Sequence, residues 1–130
     1  QLIDFLNKIN VLVCTVPLTP KTRGLLCTKF FKNLKNPTYL INVSRGAVHV
    51  ENDIIKAIKE GKLTGAFLDV FEKEPLPKGS PLWQNPKIKI TPHIASLTYA
   101  KESIRQALDN FQRVKNGRKP LNEVSRDNMY

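Results

Sequence analysis

Short apolar runs that alternate with helix-like segments constrain the fold of this chain more than any other feature. The first run, 11–16, is continuous and β-branched, which is typical of a strand covered on both faces. Alternation of this kind predicts an α/β fold, a doubly wound parallel sheet with helices on both faces. The predicted strands are 11–16, 38–43, 65–70 and 88–91, and the predicted helices are 2–9, 28–34, 51–60 and 98–114.

Length and composition exclude several classes of protein. The 130 residues, 41% of them hydrophobic, suffice for one modest domain. No apolar stretch approaches the roughly 20 residues of a membrane helix, and the first residues lack the basic start of a signal peptide. Cys14 and Cys27 have the spacing of neither a disulfide scaffold nor a metal site. We therefore expect no metal, no membrane partner and a reducing, cytoplasmic setting.

The net charge of +10 raises the question of nucleic-acid binding. The excess is spread along the chain, mostly as single lysines, and only 115–119 forms a local basic cluster. A diffuse excess is more typical of a solvated surface or of attraction for anionic metabolites than of a specific nucleic-acid site. We expect no nucleic-acid partner.

Charged and titratable residues follow the predicted strands. Carboxyl ends of parallel strands share one edge of a sheet, where ligands bind. Pro17 and Arg45 come just after two of the strands, Asp69 lies at the C-terminal end of a third, Glu74 follows Asp69 by a few residues, and His93 follows the last strand. Each has an ordinary explanation as a surface or turn residue. Their placement on one edge is the stronger observation, and it predicts a site there.

The residue types at this edge suit reduction of a 2-keto acid. A histidine exchanges protons near neutral pH, and a neighbouring glutamate stabilises its charged form and fixes its tautomer. An arginine holds a carboxylate through two charge-assisted hydrogen bonds. No side chain supplies hydride, so this chemistry requires a nicotinamide cofactor.

Three blocks at these positions carry a family resemblance. Asn42–Gly46, Gly65–Pro75 and Thr91–Ala95 resemble the signature segments of the D-isomer-specific 2-hydroxyacid dehydrogenases. Residues 16–22 are similar to the family's segment beside the adenine and phosphates. Within the family, 80–86 and the terminal Met129-Tyr130 most resemble the bacterial glyoxylate/hydroxypyruvate reductase A branch.

This resemblance implies a role for each matching residue. It makes Arg45 the substrate-binding catalytic arginine, His93 the acid/base and Glu74 the histidine's partner, and it implies that Asp69 contacts the nicotinamide amide. The implied cofactor is NAD(P), with NADP favoured in the reductase A branch, and the implied substrate is a small 2-keto acid. The implied cofactor-binding residues are Pro17, Thr22, Val43, Ser44, Arg45, Asp69 and Ala95.

The chain departs from the family in what it lacks. None of its six glycines forms a G-x-G-x-x-G motif, so the phosphate-binding turn and the residue that selects NADH or NADPH are missing. The resemblance implies an incomplete Rossmann-like domain, the C-terminal portion of the NAD(P)-binding domain, over 1–97. It implies that 98–130 form a C-terminal helix and tail that return to an absent substrate domain.

Two interpretations stay open from the sequence. In the first, the chain is part of a keto-acid reductase, weakly active or inactive by itself, and exposed apolar surface favours a homodimer or other self-association. In the second, it is a non-catalytic fragment or a basic module that binds an anionic partner. The roles of two aromatic residues also stay open. His49 is either a surface residue or a packing residue, and Trp83 either forms part of a pocket wall or is a packing residue.

Overall fold

A parallel four-stranded sheet forms the centre of the fold in the computed structural model, which describes residues 1–127. The strands lie in the order β1-β2-β3-β4, and every neighbouring pair is parallel. The α/β class and the parallel sheet predicted from the sequence are confirmed. The elements are α1 (Leu2–Leu6), β1 (Val11–Cys14), α2 (Thr28–Lys32), β2 (Thr38–Asn42), α3 (Glu51–Lys59), β3 (Leu63–Leu68), β4 (Ile88–Ile90) and α4 (Ala100–Lys115).

Element boundaries differ from the sequence prediction by a few residues. The largest difference is in α1, which ends at Leu6 rather than at residue 9. Strand β3 begins at Leu63 rather than at Gly65, because Leu63 is buried and pairs with Thr38 of β2. Two 3₁₀-helices, Gly46–Val48 and Pro81–Gln84, lie outside the helices and strands predicted from the sequence. Such short elements have no hydrophobic period of their own.

One face of the sheet carries the core. Along β1 exposed and buried side chains alternate, with Leu12 and Cys14 buried, because successive side chains point to opposite faces. The expectation that this strand is covered on both faces was therefore wrong for the part of the chain that the structure describes. Residues of α1, α2 and α3 complete this core, among them Leu6, Phe31 and Ile54. The opposite face carries side chains that are about half exposed, namely Val11, Val13, Tyr39 and Phe67.

The sequence of α3 explains why these residues form a helix. Ile54, Ala57 and Ile58 recur at helical spacing and are buried, and Glu51 and Asp53 supply negative charge in the first turn. Gly61 follows with φ +73°, the left-handed conformation that favours glycine after a helix.

The chain divides into two compact units after Ala95. In the second unit, α4 has an exposed apolar stripe that contains Ile104, Leu108 and Phe111. The segment after α4 folds back onto it, since Asn110 exchanges two side-chain hydrogen bonds with the backbone of Leu121. The role predicted for 98–130 stays a prediction, and Met129 and Tyr130 lie outside the described residues.

In the part of the chain that the structure describes, none of the helices combines the length and apolar character required to cross a membrane.

Candidate functional site

The predicted edge exists in the structure. Because all four strands are parallel, their carboxyl ends meet at one side of the sheet. Arg45 follows β2, Asp69 follows β3 directly, and His93 follows β4. Strand ends are joined by backbone hydrogen bonds, since Asp69 N–H donates to Asn42 C=O at 3.0 Å.

Arg45 presents an uncompensated cation at this edge. It has extended backbone, φ −142° and ψ 142°, just before the 3₁₀-helix at Gly46, and its side chain is exposed. Nη1 donates to the carbonyl of Ser44 at 2.7 Å. Within residues 1–127 no carboxylate forms an ion pair with Arg45. A guanidinium with free donors is suited to hold an anionic ligand.

His93 and Glu74 form the pair predicted from the sequence. Nδ1 of His93 lies 2.8 Å from Oε2 of Glu74, and both side chains are partly exposed. The other glutamate oxygen accepts the backbone N–H of Phe71 at 2.9 Å. An ionised carboxylate only accepts hydrogen bonds, so Nδ1 carries the proton in this pair. Nε2 of His93 is therefore the nitrogen available for proton exchange with a ligand.

The environment of Glu74 keeps it ionised. Burial acts to raise the pKa of Glu74, but the hydrogen bonds from His93 and from the Phe71 N–H, with the charge of His93, outweigh burial. Repulsion by Asp69 acts in the same direction as burial and is also outweighed. The net pKa lies below the usual glutamate value, so Glu74 remains a carboxylate partner for His93 at neutral pH.

Asp69 is the anchor of the segment that carries His93. It is only 2% exposed, and its oxygens accept three hydrogen bonds, from Thr91 Oγ1 at 2.5 Å and from the N–H groups of Ile94 and Ala95 at 2.9 Å. His93 has φ +57°, a conformation that disfavours residues with a side chain. These bonds hold it there. The contact of Asp69 with a nicotinamide amide stays a prediction.

We expect Asp69→Asn to destabilise the segment that carries His93. The substitution replaces one carboxylate oxygen by an NH₂ group, which is a donor and would face the hydrogen-bond donors of this segment. Burial acts to raise the pKa of Asp69, but the hydrogen bonds from Thr91, Ile94 and Ala95, with the charge of His93, lower it overall. Because the pKa of Asp69 is lower in the folded chain than in the unfolded chain, the ionised carboxylate stabilises the fold at pH values above the unfolded pKa, near 4. This stabilisation is lost as the pH falls through the pKa of the folded chain.

The measurement is urea unfolding of wild type and variant at neutral and acidic pH. Asp69→Asn should cost about 2 kcal/mol at pH 7, and its difference from wild type should shrink in acid. Asp109→Asn, at an exposed position of α4, is the control and should change little. A pH-independent difference would contradict the assigned role of the carboxylate.

The predicted residues on the adenine and phosphate side also lie together. Thr22 Oγ1 donates to the carbonyl of Pro17 at 2.6 Å and accepts the N–H of Thr19 at 2.8 Å. Pro17 is exposed. The hydroxyl of Thr22 is thus used within its own turn, and its contact with a dinucleotide stays a prediction.

A cavity of about 440 Å³ lies beside the His93–Glu74 pair. Its wall includes Phe71, Leu76 and Trp83, which is 52% exposed and donates its ring N–H to Pro77 C=O at 3.0 Å. The structure thus favours a pocket wall for Trp83 over a packing role. The sequence prediction had missed Phe71 and Leu76, because apolar residues in a loop carry no period that indicates a cavity.

Two residues that were not predicted as functional lie behind the edge. Asn42 ends β2 and is fully buried, and His49 is 3% exposed. Of the two predictions for His49, the surface location was therefore wrong, and the packing location is confirmed. The preceding apolar residue, Val48, is the sequence signal for a buried histidine, since Val48 is itself fully buried.

The edge fits the nicotinamide half of a dinucleotide. Three residues without long side chains lie here: Val43 and Ser44 follow β2, and Ala95 follows β4. The N–H of Ala95 donates to Asp69 at the end of β3. Arg45 adds free guanidinium donors at the same edge, and its contact with a substrate carboxylate stays a prediction. The phosphate-binding glycine motif is not part of this sequence.

Comparisons with known proteins agree with this geometry. Glyoxylate/hydroxypyruvate reductase A of Photorhabdus laumondii is 45% identical over 117 residues, which cover 90% of this chain and 37% of the relative. A glyoxylate/hydroxypyruvate reductase of Sinorhizobium meliloti, solved with NADP and sulfate, has a TM-score of 0.92 at 34% identity, covering 99% of this chain and 42% of that one.

A D-isomer specific 2-hydroxyacid dehydrogenase from Xanthobacter autotrophicus Py2, solved with NADPH and MES, gives a TM-score of 0.91 at 40% identity over 95% of this chain and 51% of that one. The chain therefore spans about half or less of these relatives. The protein-family model for the NAD binding domain of the D-isomer specific 2-hydroxyacid dehydrogenases matches residues 1–95 of this chain. The family predicted from the sequence blocks is confirmed, and this chain belongs to the D-isomer specific 2-hydroxyacid dehydrogenase family.

Proposed function

We propose that this chain supplies the catalytic edge of an NAD(P)H-dependent reductase that acts on small 2-keto acids of the glyoxylate and hydroxypyruvate type. The observation that carries the proposal is the 2.8 Å contact between His93 and Glu74 on the same sheet edge as the uncompensated Arg45. The 45% identity to a glyoxylate/hydroxypyruvate reductase A supports the substrate class. The NADP and NADPH held by two structural relatives support NADP as the cofactor.

The three side chains divide the reaction among them. Arg45 binds the substrate carboxylate through two charge-assisted hydrogen bonds and polarises the adjacent carbonyl. When bound at this edge, a nicotinamide dinucleotide would supply the hydride that the reduction requires. His93 gives its Nε2 proton to the carbonyl oxygen, so that a hydroxyl group forms. Glu74 accepts from Nδ1 throughout and stabilises the charged imidazole that precedes proton donation.

A hybrid enzyme provides the test. This chain replaces the matching segment of the Photorhabdus laumondii relative, and NADPH-dependent reduction of glyoxylate and hydroxypyruvate is followed by absorbance. The hybrid should turn over both substrates. Arg45→Met should lower kcat/KM roughly a hundredfold, the cost of losing hydrogen bonds to a charged group. A folded hybrid without activity would reject the proposal.

Lys59→Met is the matched control, because it also removes one exposed positive charge. Lys59 ends α3 just before β3 begins, at the opposite end of the sheet from Arg45. We expect it to leave kcat/KM unchanged. An equal loss in both variants would show that overall charge, rather than an arginine at this position, attracts the substrate.

The chain by itself should bind the cofactor weakly, because the glycine-rich turn is missing. Trp83, the single tryptophan, lies in the cavity wall beside His93 and serves as a fluorescence reporter in an NADPH titration. Submillimolar binding by a monomer would show that the edge alone is sufficient. Binding of nucleic acid with a steep salt dependence would instead favour a basic binding module.

Self-association and a cytoplasmic setting stay predictions. The half-exposed Val11, Val13, Tyr39 and Phe67 on one sheet face support self-association. The two unpaired cysteines, Cys14 buried and Cys27 partly buried, are consistent with a reducing compartment.

A further inference from the structure

A buried polar cluster lies directly behind Arg45. It consists of Cys14 at the end of β1, Asn42 at the end of β2, Ser44 and His49, none of them more than 6% exposed. Sγ of Cys14 lies 3.4 Å from Oγ of Ser44. Buried polar groups are costly unless they are paired, so a cluster of four at this position requires an explanation.

The side-chain amide of Asn42 holds the backbone on both sides of Arg45. Its Oδ1 accepts the N–H of Ser44 at 3.0 Å and the hydroxyl of Ser44 at 2.7 Å. Its Nδ2 donates to the carbonyl of Arg45 at 3.4 Å and to Nδ1 of His49 at 2.7 Å. These contacts exist only when the amide oxygen faces Ser44, because a rotated amide would place its NH₂ against the N–H of Ser44.

The contact with His49 is compatible with that orientation of the amide. To accept from Asn42, Nδ1 of His49 must be unprotonated, and a neutral ring then carries its proton on Nε2. Burial lowers the pKa of His49 from 6.5 to about 4, in agreement with a neutral ring at neutral pH. Nε2 has no hydrogen-bond partner among the described residues. An unpartnered buried donor is unfavourable for folding, so stability alone does not explain a histidine here.

Ser44 connects the side-chain amide of Asn42 to the guanidinium of Arg45 through two hydrogen bonds. The N–H of Ser44 is held by Asn42, and its carbonyl accepts Nη1 of Arg45 at 2.7 Å. These two groups belong to successive peptide planes that meet at the Cα of Ser44, so a change in the Ser44 backbone would move the carbonyl that accepts from the guanidinium.

We propose that Asn42 and His49 are positioning residues for Arg45: neutral His49 fixes the side-chain amide of Asn42 in the orientation that aims the arginine. The importance of aiming rests on the proposed function, in which Arg45 binds the substrate carboxylate. The hydrogen-bond arrangement itself does not depend on that function and is tested separately.

The first test measures the arrangement in this chain without ligand. Long-range ¹H–¹⁵N spectra report which ring nitrogen of His49 is protonated, and amide hydrogen exchange reports the Ser44 N–H. We expect the Nε2–H tautomer in wild type. His49→Leu should lower the protection of the Ser44 amide about tenfold, the loss of one hydrogen bond, while amides in the centres of β2 and β3 keep theirs.

His49→Asn is the conservative control, because its Oδ1 offers an acceptor near the position of Nδ1. It should restore the protection of the Ser44 amide to within about threefold of wild type, as expected when the hydrogen bond is kept. A protonated Nδ1 in wild type, or an unchanged Ser44 amide in His49→Leu, would overturn the proposal. Equal loss at all amides would also overturn it, because that result indicates a general structural role.

The second test uses the hybrid reductase. His49→Leu should raise the KM for glyoxylate about tenfold, as expected for a weakened hydrogen bond to a charged group, and His49→Asn should return it towards wild type. If the hybrid is inactive, the proposed function fails, while the exchange and tautomer measurements still decide the positioning proposal. If the exchange results agree and KM is unchanged, the cluster holds the loop without aiming Arg45.

Discussion

Gly46→Ala should destabilise this protein more than any conservative change near the site. A Cβ at Gly46 would overlap the carbonyl carbon and oxygen of Phe71 and would lie 2.5 Å from the backbone nitrogen of Glu72. These are backbone atoms, which do not rotate away as a flexible side chain does. We expect a loss of at least about 3 kcal/mol in the free energy of unfolding, measured by urea denaturation.

The same substitution should disturb the candidate site. The N–H of Phe71 donates to Glu74, so displacement of Phe71 removes one of the hydrogen bonds that hold the partner of His93. Folded Gly46→Ala protein should therefore show reduced activity in the hybrid. Gly79→Ala is the control, since a Cβ there meets nothing within 4 Å, and its free energy of unfolding should change by less than about 0.5 kcal/mol. Similar results for the two glycines would refute the close contact at Gly46.

His93→Gln should have the largest effect on turnover. Glutamine keeps a polar side chain but has no group that exchanges a proton near neutral pH, so the carbonyl oxygen loses its proton donor. We expect kcat of the hybrid to fall by roughly 10²–10⁴-fold. The KM for glyoxylate should change much less, because the binding of the carboxylate that we propose for Arg45 is kept. A fall in kcat of less than tenfold would exclude His93 as the acid.

Glu74→Gln tests the partner of His93. The amide still accepts a hydrogen bond, but it lacks the charge that stabilises the protonated imidazole, so we expect an intermediate loss in kcat, on the order of tenfold. Glu72→Gln is the matched control, because Glu72 is also an exposed glutamate and lies two residues away in the same loop. An equal loss in both variants would attribute the effect to the net charge of the loop.

Local patterns were sufficient for the architecture and for the candidate residues. The apolar runs placed all four strands, and the rule that parallel strands end at one edge placed Arg45, Asp69 and His93 together. The pairing of Glu74 with His93 was also predicted, and the two atoms lie 2.8 Å apart. The strands and their shared edge follow from residue type and period, which the sequence displays directly, whereas the pairing of Glu74 with His93 was implied by the family resemblance.

Other features depend on contacts between residues far apart in the chain. The sequence left His49 as a surface or packing residue, and only the fold brings it to Asn42 and shows its burial. The predicted contact of Asp69 with a nicotinamide amide stays a prediction, and only the structure shows that its carboxylate also accepts the N–H groups of Ile94 and Ala95, next to His93. Burial and the choice of a hydrogen-bond partner are properties of the packed chain, and no local period encodes them.

What the sequence by itself determined is therefore the parallel sheet, the family, and the set of charged residues at its edge. The tertiary structure alone decided how those residues are held: Gly46 against the backbone of Phe71, and Asn42 and His49 behind Arg45. The physical reason is that hydrophobic period is a short-range property of a chain. The position and orientation of a functional side chain are set by backbone and side-chain groups that meet only after folding.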